Sequence, residues 1–345
     1  MHPGSGPVKD RAGAFILGCS GPALTAAERR FFAEANPLGF ILFARNIKDP
    51  AQLRGLTDAL RDTVGRNAPI LIDQEGGRVQ RLNPPHWRPW APAADQIAAV
   101  GPQHAARSMF LRSRLIAREL HWMGIDVNCA PLADIARPET HAILKNRCYG
   151  TEPGPVAKIA RAVADGLLEG GVLPVLKHIP GHGRATVDSH LALPRVKTPM
   201  AALEGTDFAA FKALADLPLG MTAHVVYDAL DPDRPATTSP EATAFIRKEL
   251  GFDGFLMTDD ISMQALSGDI ADRCTAGLRA GCDAVLHCNG NLAEMEAVAT
   301  ASGTLREKGA ARAARALARR RPPVPSDIAA LVAELDALLG KRRDA

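Results

Sequence analysis

The sequence predicts an α/β chain folded as a single (β/α)8 TIM barrel, with a C-terminal helix packed outside. Eight short apolar runs recur along the 345 residues, separated by amphipathic Ala/Leu-rich stretches. Strands alternating with helices make a parallel sheet, and eight repeats fit a closed barrel. No G-x-G-x-x-G or G-x-x-x-x-G-K-[ST] fingerprint is present, which sets the doubly wound nucleotide-binding sheet second. Polar side chains also gather just after the apolar runs, at the strand ends where barrels carry chemistry.

The runs occupy residues 14–17, 39–43, 70–72, 125–130, 173–176, 219–223, 255–257 and 284–286, each bounded by Gly, Pro or charged residues. Helical periodicity falls on 50–64, 104–123, 155–169, 200–215, 239–250 and 271–280. Past a Pro-rich break at Pro322, Ser326-Asp327 opens a last helix over 326–339. The expected organisation is a flexible segment 1–12, a catalytic barrel 13–321 and a helical tail 322–345. Ile16-Leu17-Gly18-Cys19 has the look of a lipoprotein cleavage box. Its apolar run, 12–18, is short for a signal core and Asp10 interrupts the basic region before it, so a first barrel strand is the better reading.

Composition narrows the class further. Apolar residues make up 46%, enough for a large core. The net charge of +3 supplies no strong field for nucleic acid or a membrane, and no segment has the length of a membrane span. The basic stretch 312–321 lies in an Ala-rich segment and reads as a solvated helix face. Six cysteines without a C-x-x-C, several inside apolar runs, read as reduced, buried thiols of a cytoplasmic protein, expected to be monomeric.

The densest chemistry is Lys177-His178-Ile179-Pro180-Gly181-His182-Gly183, followed by Asp188-Ser189-His190. Pro180, Gly181 and Gly183 forbid a continuing helix or ladder, which places these groups on a shaped loop after strand five. Asp188 can hold His190 in one tautomer, a pair suited to giving and retaking a proton. A surface loop with an incidental D-x-H is the plain alternative. The glycines and Ala185 give this loop little to pack with, and it is expected to close over bound substrate. Asp259, after strand seven, is either a carboxylate nucleophile or, with Asp260, a helix cap. Asp73, Arg78, Arg81, Arg147 and Lys177 could form rim ion pairs or fork hydrogen bonds to vicinal hydroxyls. Trp87 and Trp90 could stack on a sugar or merely anchor a loop. His178, His182, Asp188 and His190 could also bind zinc, but Pro180 and Gly181 break the helical spacing and Lys177 would set a cation beside the ion. No metal and no cofactor is therefore expected.

Five motifs stand in one order: Asp73-Gln74-Glu75-Gly76-Gly77-Arg78-Val79-Gln80-Arg81, Asn146-Arg147, the Lys177–Gly183 run with Asp188-Ser189-His190, Met221-Thr222-Ala223-His224, and Thr258-Asp259-Asp260-Ile261-Ser262-Met263. In this the chain resembles the family 3 glycoside hydrolases, specifically the single-domain bacterial β-N-acetylhexosaminidases of the NagZ type. Ile179, Thr258 and Cys148-Tyr149 depart mildly from residues common in the family. The resemblance implies retaining removal of a terminal β-linked N-acetylglucosamine, with Asp259 as nucleophile and His190 as acid/base assisted by Asp188. It further implies that Asp73, Arg81, Arg147, Lys177 and His178 bind the sugar. Relatives that draw their acid/base from a second domain are longer than this chain. The implied substrate is a muropeptide carrying N-acetylglucosamine on anhydro-N-acetylmuramic acid. A β-glycoside phosphorylase or β-glucosidase of the same family is the alternative, and a metal-dependent barrel hydrolase ranks below both.

Overall fold

Each of the eight apolar runs is a strand: Gly13–Leu17, Pro37–Leu42, Ile70–Ile72, Val127–Asn128, Leu173–Ile179, Leu219–Thr222, Phe255–Asp260 and Ala284–His287. The structure, a computed structural model, describes residues 11–189 and 191–340. Neighbouring strands pair in parallel around the ring, and Phe15 opposite Val285 joins the eighth to the first. Helices cover the outside and side chains fill the inside. The strands are therefore buried on both faces and read as unbroken apolar runs rather than alternating ones.

Two strands run further than their apolar cores. The fifth continues through Lys177 and His178 to Ile179, and the seventh through Thr258 to Asp260. Lys177 and His178 thus stand on a strand rather than on the loop expected of them. The closed ring explains this, because each extension finds ladder partners on its flanks. The Lys177 carbonyl accepts from Ala133 N at 2.9 Å, Ile179 stands opposite Thr222, and Asp260 opposite Leu286. Strand four is shorter than its apolar run, and Pro131, which has no N–H, follows it closely.

The helices follow local signals. Asp49 caps Pro50–Val64, which has Pro at its first turn and ends on Gly65 at φ +63°. Ala105–Trp122, Pro153–Glu169, Pro240–Lys248 and Ile270–Ala280 lie close to the periodic stretches that predict them. The stretch 200–215 divides into Met200–Gly205 and Asp207–Lys212. Gly205 is a weak helix former, and the Thr206 hydroxyl bonds both Ala202 O (2.6 Å) and Asp207 Oδ2 (2.7 Å) at the break. A three-stranded sheet of Arg195–Val196, Val226–Tyr227 and Asp231–Pro235 joins the chain after strands five and six. From it the Tyr227 hydroxyl donates to Gly181 O.

Helix Ile328–Leu338, capped by Asp327, packs outside the barrel on Ala105–Trp122. Arg107–Glu334 and Arg88–Asp336 pairs at 2.6 and 2.7 Å pin it there. The basic stretch 312–321 is solvated at Arg315, Arg319 and Arg321 but differs from the expected face at Arg312 and Arg320, which turn inward. Arg312 pairs with Asp253 and Asp283, Arg315 with Asp253, and Arg320 with Asp126. Those aspartates precede strands seven, eight and four, so the arginines bind the floor of the barrel. All six cysteines are buried and none is in a disulfide.

Candidate active site

At the C-terminal mouth of the barrel a cavity of about 180 Å³ is lined by Asp73, Arg81, Arg147, Lys177, His178, Asp188 and Asp259, among others. Seven of the eight residues to which the family resemblance assigns a role thus meet in one place. The eighth, His190, lies outside the described residues. Trp87 and Trp90 do not line the cavity and are buried to 8% and 6% exposure, as packing anchors.

A cation–carboxylate cluster forms the floor. Lys177, 2% exposed, places Nζ 3.0 Å from Asp73 Oδ1 and 2.6 Å from Glu75 Oε1. Arg147 grips Glu75 with both arms at 2.9 and 2.8 Å, and Arg81 reaches Asp73 at 3.4 Å. Burial alone would drive these groups neutral; the partners reverse it. Burial pushes Glu75 up, but Arg147 and Lys177 bring it down to about 2. Asp73 is likewise held well below the usual carboxylate range by Lys177 and Arg81 against its burial. Burial pulls Lys177 down, yet the two carboxylates leave it raised, so the cluster is fully charged at neutral pH.

Local sequence shapes this floor. Gly76 and Gly77 have φ of +102° and +60°, and a Cβ on Gly76 would lie 1.9 Å from the Arg112 guanidinium. Gln74 fastens the loop, its Oε1 accepting from Arg81 N and Leu82 N and its own N–H donating to Asn128 Oδ1. Glu75 escaped the sequence reading. Its signal was a second carboxylate two positions from Asp73 in an extended segment, where alternate side chains share a face.

Asp134 orders the histidines. His178 Nδ1 lies 2.8 Å from Asp134 Oδ2, and Asp134 Oδ1 accepts from His182 N at 2.6 Å. Burial raises Asp134, but His178 beside it lowers it overall, so the carboxylate accepts and Nδ1 of His178 donates. Burial drives His182 down to about 4, which keeps that ring neutral, with Nε2 3.1 Å from Ser189 Oγ. The base of the 181–189 loop is packed, contrary to expectation. A Cβ on Gly183 would lie 1.9 Å from Ile135 O, Ala185 is 1% exposed, and Arg184 bonds Asp207 at 2.7 Å. The exposed side chains are further out, at Val187, Leu191 and Leu193.

Asp259 is the penultimate residue of strand seven, its Oδ1 accepting from Asp260 N at 2.8 Å. Burial raises it, but His224 and His178 bring it below its ordinary value. Among the described residues no Lys or Arg forms an ion pair with it, unlike Asp73 and Glu75. The cap role falls to neither aspartate, since the next helix begins at Ile270 under Asp269. Asp260 instead organises the turn, accepting from Ser262 N and Oγ and from Cys288 N. Fully buried His224 bridges Thr237 Oγ1 (2.7 Å) and the Asp260 carbonyl (3.0 Å) beneath it. Among the described residues no three His, Cys, Asp or Glu side chains are arranged to hold a metal.

Residues 20–319 match the family described as "Glycosyl hydrolase family 3 N terminal domain". A protein of Alkalilimnicola ehrlichii named beta-hexosaminidase is 40% identical over 287 residues, covering 80% of this chain and 81% of that one. The beta-hexosaminidase of Pseudomonas aeruginosa is 35% identical over 80% of this chain and 82% of its own. The crystal structure of native NagZ from Neisseria gonorrhoeae superposes with a TM-score of 0.82 at 28% identity, covering 96% of this chain and 97% of that one. A second structure of the Neisseria protein, in complex with N-trifluoroacetyl-D-glucosamine, superposes with a TM-score of 0.81 at 29% identity and the same coverage.

Proposed function

The chain belongs to glycosyl hydrolase family 3 and is a β-N-acetylhexosaminidase, and on that premise we propose that it removes a terminal β-linked N-acetylglucosamine by a retaining, two-step displacement. The observation that carries the assignment of roles is the division of labour among the carboxylates. Asp73 and Glu75 are engaged by cations, Asp134 by histidines and Asp260 by a turn, while ionised Asp259 faces the cavity with no cation paired to it among the described residues.

In the first step Asp259 Oδ2 attacks the anomeric carbon as the glycosidic C–O bond breaks. Its other oxygen is held by Asp260 N–H, which fixes the line of attack. The departing oxygen takes a proton from His190, with Asp188 supporting the imidazolium. In the second step His190 takes a proton from water, the water oxygen bonds to the anomeric carbon, and Asp259 leaves. Most retaining enzymes use two carboxylates, and the histidine is carried over from the family resemblance. An imidazole titrates near neutrality without a large displacement, which suits it to both steps.

The floor cluster supplies recognition. Asp73 accepts from sugar hydroxyls, while Lys177, Arg147 and Arg81 donate. His178, with Nδ1 held by Asp134, offers Nε2 to the ring. A cavity of about 180 Å³ is below the ~300–1,000 Å³ of pockets that hold drug-sized ligands, which favours one terminal residue over an internal stretch of polysaccharide. Peptidoglycan fragments ending in N-acetylglucosamine are the proposed natural substrates, acted on by a cytoplasmic monomer. Six buried, unpaired thiols support a reducing compartment.

The test compares an aryl β-N-acetylglucosaminide with an aryl β-glucoside, with EDTA present, for the wild type and Asp259→Ala. Turnover of the N-acetyl substrate alone, reduced ~10³-fold or more in the variant, is the expected outcome. Preference for the glucoside would overturn the specificity, and loss of activity only under EDTA would overturn the metal-free mechanism.

A further inference from the structure

The cations of the cavity do not share one fate. Lys177, Arg147 and Arg81 are each matched to Asp73 or Glu75. Arg78 also lines the cavity, yet among the described residues it has no carboxylate partner, and its Nη1 donates only to the Ile143 carbonyl at 3.1 Å. An exposed arginine without a partner is ordinarily a solvated surface group. This one is built into place. It sits at the tip of a tight turn in which Gly76 and Val79 bridge, Gly76 N donates to Val79 O at 3.0 Å, and Gly77 N donates to Trp90 O at 2.7 Å. The Ile143 carbonyl accepts from one arm of the guanidinium, and the residue lines the cavity.

Position decides what this charge meets. The buried floor of Lys177 and Asp73 takes the terminal sugar in the reading above, on which this inference rests. The remainder of the substrate leaves through the rim, where Arg78 stands exposed. A fixed, unmatched guanidinium there suits a planar anion, which it can bind through two parallel N–H groups. We infer that Arg78 is a specificity residue of the aglycone side, recognising a carboxylate carried by the group that departs.

The experiment uses the para-carboxyphenyl β-N-acetylglucosaminide and its methyl ester, with the full-length wild type, Arg78→Gln and Arg78→Lys. The quantity read is the selectivity, kcat/KM for the acid over kcat/KM for the ester. Comparing this ratio between variants cancels the difference in leaving-group chemistry. Arg78→Gln is expected to lower the selectivity about fivefold, the scale of a partly solvated ion pair. Arg78→Lys, which keeps the charge and loses the fork, should fall between wild type and Arg78→Gln, and added salt should narrow the wild-type preference. Wild-type turnover with a selectivity that Arg78→Gln leaves unchanged overturns the inference alone. Failure of the wild type on both glycosides overturns the proposed activity and this inference with it.

Discussion

Glu75→Gln probes the ionic floor of the site with little change of shape. The native carboxylate accepts two bonds from Arg147 and one contact from Lys177, with its side chain 6% exposed. Its pKa falls from 4.5 to about 2, and the drop corresponds to ~3 kcal/mol of folding stability at neutral pH. Removing one partner of a buried pair costs about 3–5 kcal/mol by an independent route, because Arg147 loses its ion-pair partner and Lys177 keeps only Asp73. At ~2.1 cal/mol/K per residue a chain of this length has an unfolding entropy of ~0.7 kcal/mol/K, so the variant should melt roughly 4 °C lower. A depressed folded pKa means that the stabilisation is complete above about 4.5 and fades as pH falls toward 2. The gap between wild type and variant should therefore narrow by about 1.4 kcal/mol near pH 3.5. Urea denaturation at pH 7 and near pH 3.5 measures both quantities. A variant within ~1 kcal/mol of wild type at pH 7, or a gap indifferent to acid, would refute the assignment of Glu75 as the charge that holds Lys177 and Arg147.

Two further outcomes follow from the same geometry. His182 has a folded pKa of about 4 against an ordinary 6.5, so its contribution is intact above 6.5 and is lost as pH falls through 4; about 2 kcal/mol should go between pH 7 and pH 5. His182→Gln should flatten that part of the stability curve, and an unchanged slope would contradict the buried, neutral ring. Gly183→Ala forces a Cβ to 1.9 Å from Ile135 O, and should cost ~1–3 kcal/mol and lower kcat by displacing the segment that carries Asp188. Gly205→Ala, with no atom within 4 Å, is the matched control and should leave both unchanged or slightly raise stability.

The eight strands were legible because burial on both faces writes itself locally, as short apolar runs between Gly, Pro and charge. The cap at Asp327 was legible for the same reason, being decided within a few residues. So was the gathering of reactive side chains at the strand ends, since a closed parallel barrel leaves them one mouth to share. Asp259 and Asp188 stood out on that ground, whereas the sugar-binding roles of Lys177 and Arg147 came from the family resemblance. Which charges meet is a different matter. Arg147 and Glu75 are 72 residues apart, and Lys177 and Asp73 are 104 apart. Nothing local distinguishes Arg81, which reaches Asp73, from Arg78 in the same motif, which has no carboxylate partner among the described residues. The arginines of 312–321 pose the same problem, because Asp126, Asp253 and Asp283 meet them only when the barrel floor is assembled. The sequence by itself determined the eight barrel strands, their order and the chemistry available at the mouth. Ion-pair partners, the tautomer of His178 and the extension of strands five and seven were decided only by tertiary structure, because Coulomb energy and desolvation depend on distances and burial that exist only once the ring has closed.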